Sequence, residues 1–221
     1  MRHIDRLPKP RILENKEAEW QKKYEEKLAE NPHARPDSSK YAHQEIKDAL
    51  YAMSYSKCYY CETKLTDSVK EIDHFVEVSV NPCKAYDWDN LCLACNNCND
   101  KYDHKTIPVT DALDPCRDSN EEIKANISFE REQIFAVPDS KKGLNTIKKY
   151  HLNTELLDLK RSRWLNKLLV DVGEIQRQMI ANGRRKMTED ERKKIMKYMM
   201  PDQPYSLMCE VFITENLREL L

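Results

Sequence analysis

The pairs "CYYC" at 58–61 and "CNNC" at 95–98 bracket two short apolar stretches, "EIDHF" at 71–75 and "WDNLCLA" at 88–94. A Cys-x-x-Cys knuckle delivers two sulfurs to one ion, and two knuckles together close a tetrahedral four-thiolate site. Cys58, Cys61, Cys95 and Cys98, with 33 residues between the pairs, are therefore read as ligands of a structural Zn²⁺. Four protein ligands leave no open position for a substrate water, so this ion holds the fold. Structural zinc contributes on the order of 10–16 kcal/mol in small zinc peptides, which rivals the stability of a whole domain. The stretches between the knuckles alternate like strands, and a polar helix is expected to begin near Asn99. Together they make a β-β-α unit.

Inside this clasp, Asp73 stands beside His74. Adjacent side chains on a regular strand point to opposite faces, so the two serve one site only if the strand ends, twists or bulges there. Phosphodiester hydrolysis needs a base to activate water, a hard cation to neutralise developing charge, and oxygen ligands for that cation. Four residues in order supply these parts. His74, with an ordinary pKa near 6.5, suits the base. Asp73 and the carboxamide oxygen of Asn99 suit Mg²⁺ or Mn²⁺, and Asn90 can bond backbone across the loop and fix where His74 points.

Composition narrows the alternatives. The net charge is −1 with 34% charged residues, so any basic footprint for nucleic acid must be local. The three glycines, Gly143, Gly173 and Gly183, stand in no phosphate-loop setting, so the chain has no nucleotide-binding loop of its own. No apolar run approaches 18 residues and "MRHIDRLPKP" has no apolar signal core, which points to a cytoplasmic protein without membrane contact. Cys83, Cys92, Cys116 and Cys209 lack knuckle spacing and read as small buried residues. His3, His33, His43 and His151 read as ordinary packed or surface residues, while His104 would lie on a different face of the Asn99 helix from Asn99 itself.

The chain divides into an N-terminal helical segment, 1–57, the clasp-bearing core, 58–106, a loop and hairpin extension, 107–150, and a C-terminal helical region, 151–221. A highly charged helix over 12–30 has a thin apolar stripe of Trp20, Tyr24 and Leu28, and "KYAHQEIKDALYAMS" resumes helical spacing after two prolines. "NISFEREQIFAV" is expected to form a hairpin. Leu157, Trp164, Leu168, Val172, Ile175 and Met179 keep helical spacing, with Gly183 as a stop. "TEDE" at 188–191 is a capping box, and a last helix follows Pro204 to Leu221. "GRRKMTEDERKK" reads as a solvated face of mixed charge. The fold class is α+β, mainly α-helical.

"CYYC", "IDHF" and "WDNLCLACNNCN" resemble the zinc-knuckle branch of the HNH, or ββα-metal, nuclease superfamily. That resemblance implies a ββα-metal core, His74 as general base, Asp73 and Asn99 as metal ligands, and Asn90 as the residue that orients the base. It implies cleavage leaving 5′-phosphate and 3′-hydroxyl ends. The sequence departs from the family pattern in having Asn99 where His is commoner and Tyr102 where a lysine is frequent, so phosphate contact falls to Lys101 or Lys105. The flanks look like the PtuB nuclease subunits of bacterial Septu anti-phage systems, also found with some retrons. This likeness implies a PtuA-like partner ATPase, cleavage of invading DNA, and an oligomeric state set by the complex. It fits the missing phosphate loop, with 12–30 or the region after Asp202 expected to dock the ATPase. A non-catalytic zinc-knuckle module that binds nucleic acid or partner is the competing reading, and RNA cleavage is open because the mechanism ignores the 2′-hydroxyl.

Overall fold

The computed structural model describes residues 1–65 and 71–221. Helix α1, Arg11–Glu30, begins behind Pro10, whose fixed φ suits a helix start, and buries Leu13, Trp20 and Tyr24. Two prolines then force a loop, from which Asp37 caps the one-turn helix α2, Ser38–Tyr41, by accepting from Ser39 N. Helix α3, Gln44–Ser54, turns Ile46, Leu50 and Met53 inward and ends at Tyr55 in the left-handed region.

Strand β1, Glu71–His74, pairs antiparallel with β2, Leu91–Ala94, in a register that sets Asp73 opposite Cys92 and His74 opposite Leu91. All four residues of β2 are fully buried. Strand β2 lies against α3 and also accepts Tyr59 N at Leu93 O, 2.9 Å, which ties the first knuckle to the sheet. Helix α4, Asn96–Asn99, follows at once. The helix expected to begin near Asn99 thus ends there, because "NNCND" is made of residues that bond locally rather than propagate a helix. Downstream, Tyr102 is pinned by Lys149: its N–H donates to Lys149 O and its carbonyl accepts Lys149 Nζ.

The expected hairpin is β3, Ile127–Glu130, paired with β4, Gln133–Ala136. The loop-rich reading of 107–150 misses two helices. Helix α5, Asn120–Asn126, has a full capping box from Ser119 and Glu122, and helix α6, Lys141–Lys149, is capped by Ser140. Only glycine fits at 143, where a Cβ would meet Asn126 O at 1.9 Å.

The long helix α7, Glu155–Ala181, buries Leu157, Leu168, Val172, Ile175 and Met179, with Trp164 half-buried, and stops where Gly183 takes φ +61°. Helix α8, Glu189–Met196, carries the Thr188–Glu191 capping box, and Arg184 clamps Glu191 with two bonds of 2.7 and 2.8 Å. Helix α9, Ser206–Asn216, closes the chain earlier than expected. Among the described residues no helix is long and apolar enough to cross a membrane.

Candidate active site and metal clasp

The two knuckles meet at the Ala94 end of the hairpin. The sulfurs of Cys58, Cys61, Cys95 and Cys98 lie within 4.8 Å of one another, and Cys61 Sγ is 3.7 Å from Cys95 Sγ. A tetrahedral ion with bonds of about 2.3 Å requires sulfur edges of about 3.8 Å, so the cluster fits a four-thiolate metal site. Burial pushes the Cys58 and Cys98 thiols up, and a cation is what lets such a packed group ionise together. Thr63 Oγ1 sits 3.1 Å from Cys61 Sγ and 3.0 Å from Tyr205 Oη, joining the clasp to the start of α9.

At the opposite end β1 stops at His74, and this ending resolves the problem of adjacent side chains. Asp73 turns inward and is buried, while His74 borders a cleft of about 910 Å³ that Asp73 and Asn99 also line. His74 Nε2 donates to Ala85 O at 2.8 Å, so Nε2 carries the proton and Nδ1 is the acceptor, unpartnered among the described residues. Burial lowers the His74 pKa below its ordinary value, which keeps the ring neutral at pH 7.

Asn90 is 2% exposed and replaces the sheet ladder where it ends. Its carbonyl accepts Phe75 N at 2.8 Å, Oδ1 accepts Val76 N at 2.7 Å, and Nδ2 donates to Val76 O and Lys84 O, each at 3.0 Å. Lys84 precedes Ala85, whose carbonyl holds His74. Asn90 therefore fixes both ends of the loop that carries the imidazole's anchor.

Residues 58–105 match the family model for HNH endonucleases. This segment is an HNH endonuclease domain. The chain is 31% identical over 160 residues to a Septu protein PtuB of Bacillus thuringiensis, covering 69% of this chain and 55% of that protein. It is 25% identical over 155 residues to a Septu protein PtuB of Bacillus mycoides strain KBAB4, covering 56% and 52%. The chain thus spans about half the length of these curated relatives.

Within the HNH domain the acid partner of His74 is itself partnered. Asp73 Oδ2 accepts from Tyr60 Oη and lies 2.8 Å from Lys101 Nζ. The ammonium donates further to His74 O, 2.7 Å, and Phe75 O, 3.0 Å, which matches its three protons with three acceptors. Lys101 is therefore buried and has no donor left for phosphate, while Lys105 is exposed on a turn outside the cleft lining. Burial pushes the Asp73 carboxyl up, against the pull of Lys101. Asp73 Oδ1 accepts from no described residue. Asn99 Nδ2 donates to Glu71 Oε2, and Asn99 Oδ1 has no partner among the described residues. Both oxygens are of the type that hard cations prefer, and both residues line the same cleft.

His104 lies on a turn after α4, at the cleft rim, 3.8 Å from Asp103. Of the remaining cysteines, Cys92 and Cys209 are buried, Cys116 is half-buried and Cys83 is exposed, contrary to the uniform burial expected. Sequence reasoning missed Tyr60, Tyr41 and Tyr86, which contact or support the site. Tyr60 lies within the first knuckle and could have been found from it; the others are brought in by tertiary packing alone.

Proposed function

We propose that the chain is a metal-dependent endonuclease that hydrolyses phosphodiester bonds of invading phage DNA together with a PtuA-like partner ATPase. The observation that carries this reading is the anchored imidazole: His74 bonded through Nε2 to Ala85 O, with Nδ1 unpartnered, in a cleft shared with Asp73 and Asn99. His74 Nδ1 takes the proton from the attacking water, and Asn90 holds the loop that keeps the ring in register. Asp73 and Asn99 are the residues to hold Mg²⁺ or Mn²⁺, and a bound divalent cation supplies charge stabilisation at the phosphate oxygens. The ion of the four-cysteine clasp is Zn²⁺ and is structural. Likeness to Septu proteins supports the defence setting, and the absent phosphate loop supports an ATPase supplied in trans.

The test is cleavage of supercoiled plasmid by the zinc-loaded chain with a PtuA-like ATPase, in Mg²⁺ or Mn²⁺ against buffer free of both ions. Cleavage only with metal is expected. Metal-independent cutting, or none under any metal while the ATPase co-purifies, contradicts the nuclease reading. Failure of the ATPase to co-purify contradicts the partner assignment separately.

A further inference from the structure

Opposite His74, the cleft is walled by a segment outside the matched HNH domain. Tyr41, at the end of α2, packs its ring against the His74 ring with centroids 4.9 Å apart and planes at 73°. This edge contact holds the imidazole on the side away from the domain. The loop leading to Tyr41 is tied down at two points. Tyr24 Oη donates to Ala34 O at 3.4 Å, and Asp37 N donates to Tyr86 Oη at 3.0 Å. Tyr86 packs in turn on Trp20 and Tyr24 of α1, at 5.8 and 6.4 Å. It also follows Ala85, whose carbonyl anchors His74. One aromatic cluster thus sets both walls of the cleft.

The charges on those walls are unequal. Asp73, Glu77, Asp100 and Asp103 line the cleft on the domain side. Lys101 is consumed by Asp73 and two carbonyls, and Glu77 pairs with Lys149 at 2.6 Å. Among the described residues that line the cleft, Arg35 is the only lysine or arginine with neither a hydrogen bond nor an ion pair, and it is exposed. Asp100 and Asp103 are left without a lysine or arginine partner among the described residues, so a polyanion entering the cleft needs a cation on its lining, and a guanidinium matches phosphate with two parallel donors.

We propose that the segment from Arg35 to Tyr41 is the substrate wall of this cleft, with Arg35 binding a backbone phosphate of duplex DNA and Tyr41 positioning the His74 ring. The assignment rests on the nuclease reading and extends it to residues that lie before the matched domain. Arg35 takes the role that the sequence assigned to Lys101 or Lys105. Tyr41 acts through His74 and is a positioning residue.

The experiment uses the full zinc-loaded chain carrying His74→Ala, a fluorescein-labelled 20-base-pair duplex and a salt titration in buffer without Mg²⁺, Mn²⁺ or chelator, with and without Arg35→Ala. Loss of one phosphate contact is expected to weaken binding about tenfold at low salt and to reduce the slope of log affinity against log salt by about 0.9. Arg35→Lys should restore the slope. In the otherwise unaltered protein, Tyr41→Ala should slow turnover without changing duplex affinity, and Tyr41→Phe should restore the rate because it keeps the ring. Unchanged affinity and slope in Arg35→Ala overturns the proposal, as does failure of the chain to bind duplex. Equal loss of turnover in Tyr41→Ala and Tyr41→Phe overturns the positioning role. Arg35-dependent binding without cleavage in any metal leaves the phosphate site standing and sinks the nuclease reading; cleavage with Arg35-independent binding does the reverse.

Discussion

At one end of the β1–β2 hairpin four sulfurs crowd within 4.8 Å of one another, and at the other His74 borders a cleft of about 910 Å³ that Asp73 and Asn99 also line. Both sets of residues hang on the same eight strand residues, yet the first set is directed wholly at itself and the second keeps unpartnered atoms for something else. The sulfurs sit on tight knuckles turned by local backbone bonds, Cys98 N to Cys95 O at 3.0 Å and Glu62 N to Cys58 O at 3.0 Å, with Tyr59 N to Leu93 O tying the first to the sheet. His74 and Asp73 are instead held from outside their own strand, by Ala85, Tyr60 and Lys101. A closed site is specified by spacing, and an open one by its supports.

This contrast can be broken at either end. Removing the clasp ion, by chelation or by Cys95→Ser, should give the largest effect, since structural zinc contributes on the order of 10–16 kcal/mol. The expected outcome is loss of stoichiometric zinc and of the hairpin's circular dichroism signal. A folded, active variant without zinc would remove the distinction between the two ends. Next comes Lys101→Met, which strands Asp73 as an unpaired buried carboxylate and should cost about 3–5 kcal/mol in urea denaturation, with zinc retained. A cost under about 1 kcal/mol shows that Lys101 does not support this end. Asn90→Ala leaves Val76 N and Lys84 O without their partner; a loss of about 1–3 kcal/mol should accompany a fall in cleavage of about 10²-fold or more. Cleavage near the normal rate says that the loop positions His74 without Asn90. At the small extreme, Cys83→Ser on the surface should change stability by no more than about 0.5 kcal/mol and leave zinc content unaltered. A drop in zinc content would make Cys83 a participant in the clasp.

How much of this was legible in the sequence follows the same divide. The knuckles, both strands of the hairpin, the long helix with its Gly183 stop and the Thr188–Glu191 capping box are carried by local spacing, and the structure has them. The box at Ser119–Glu122 is an equally local signal and could have revealed α5. The helix placed at Asn99 failed because its fate is decided by weak helix formers and by Lys149 pinning Tyr102. Lys101 was assigned to phosphate as a neighbour of Tyr102, which stands where the family often has a lysine. Its inward turn depends on Asp73, His74 and Phe75 forming a three-acceptor pocket, which no one-dimensional pattern shows. Tyr41 reaches His74 only because Tyr86 holds the loop before it.

The central claim is that His74 performs chemistry beyond the packing and loop contacts it makes with Tyr41 and Ala85. Plasmid cleavage by His74→Ala, in saturating Mg²⁺ or Mn²⁺ and beside the unaltered chain, tests it most directly, with zinc content and circular dichroism measured on the same preparations. Full zinc, an unchanged spectrum and cleavage reduced by about 10² to 10⁴ are expected. Cleavage at the unaltered rate by a folded, zinc-loaded His74→Ala protein would contradict it.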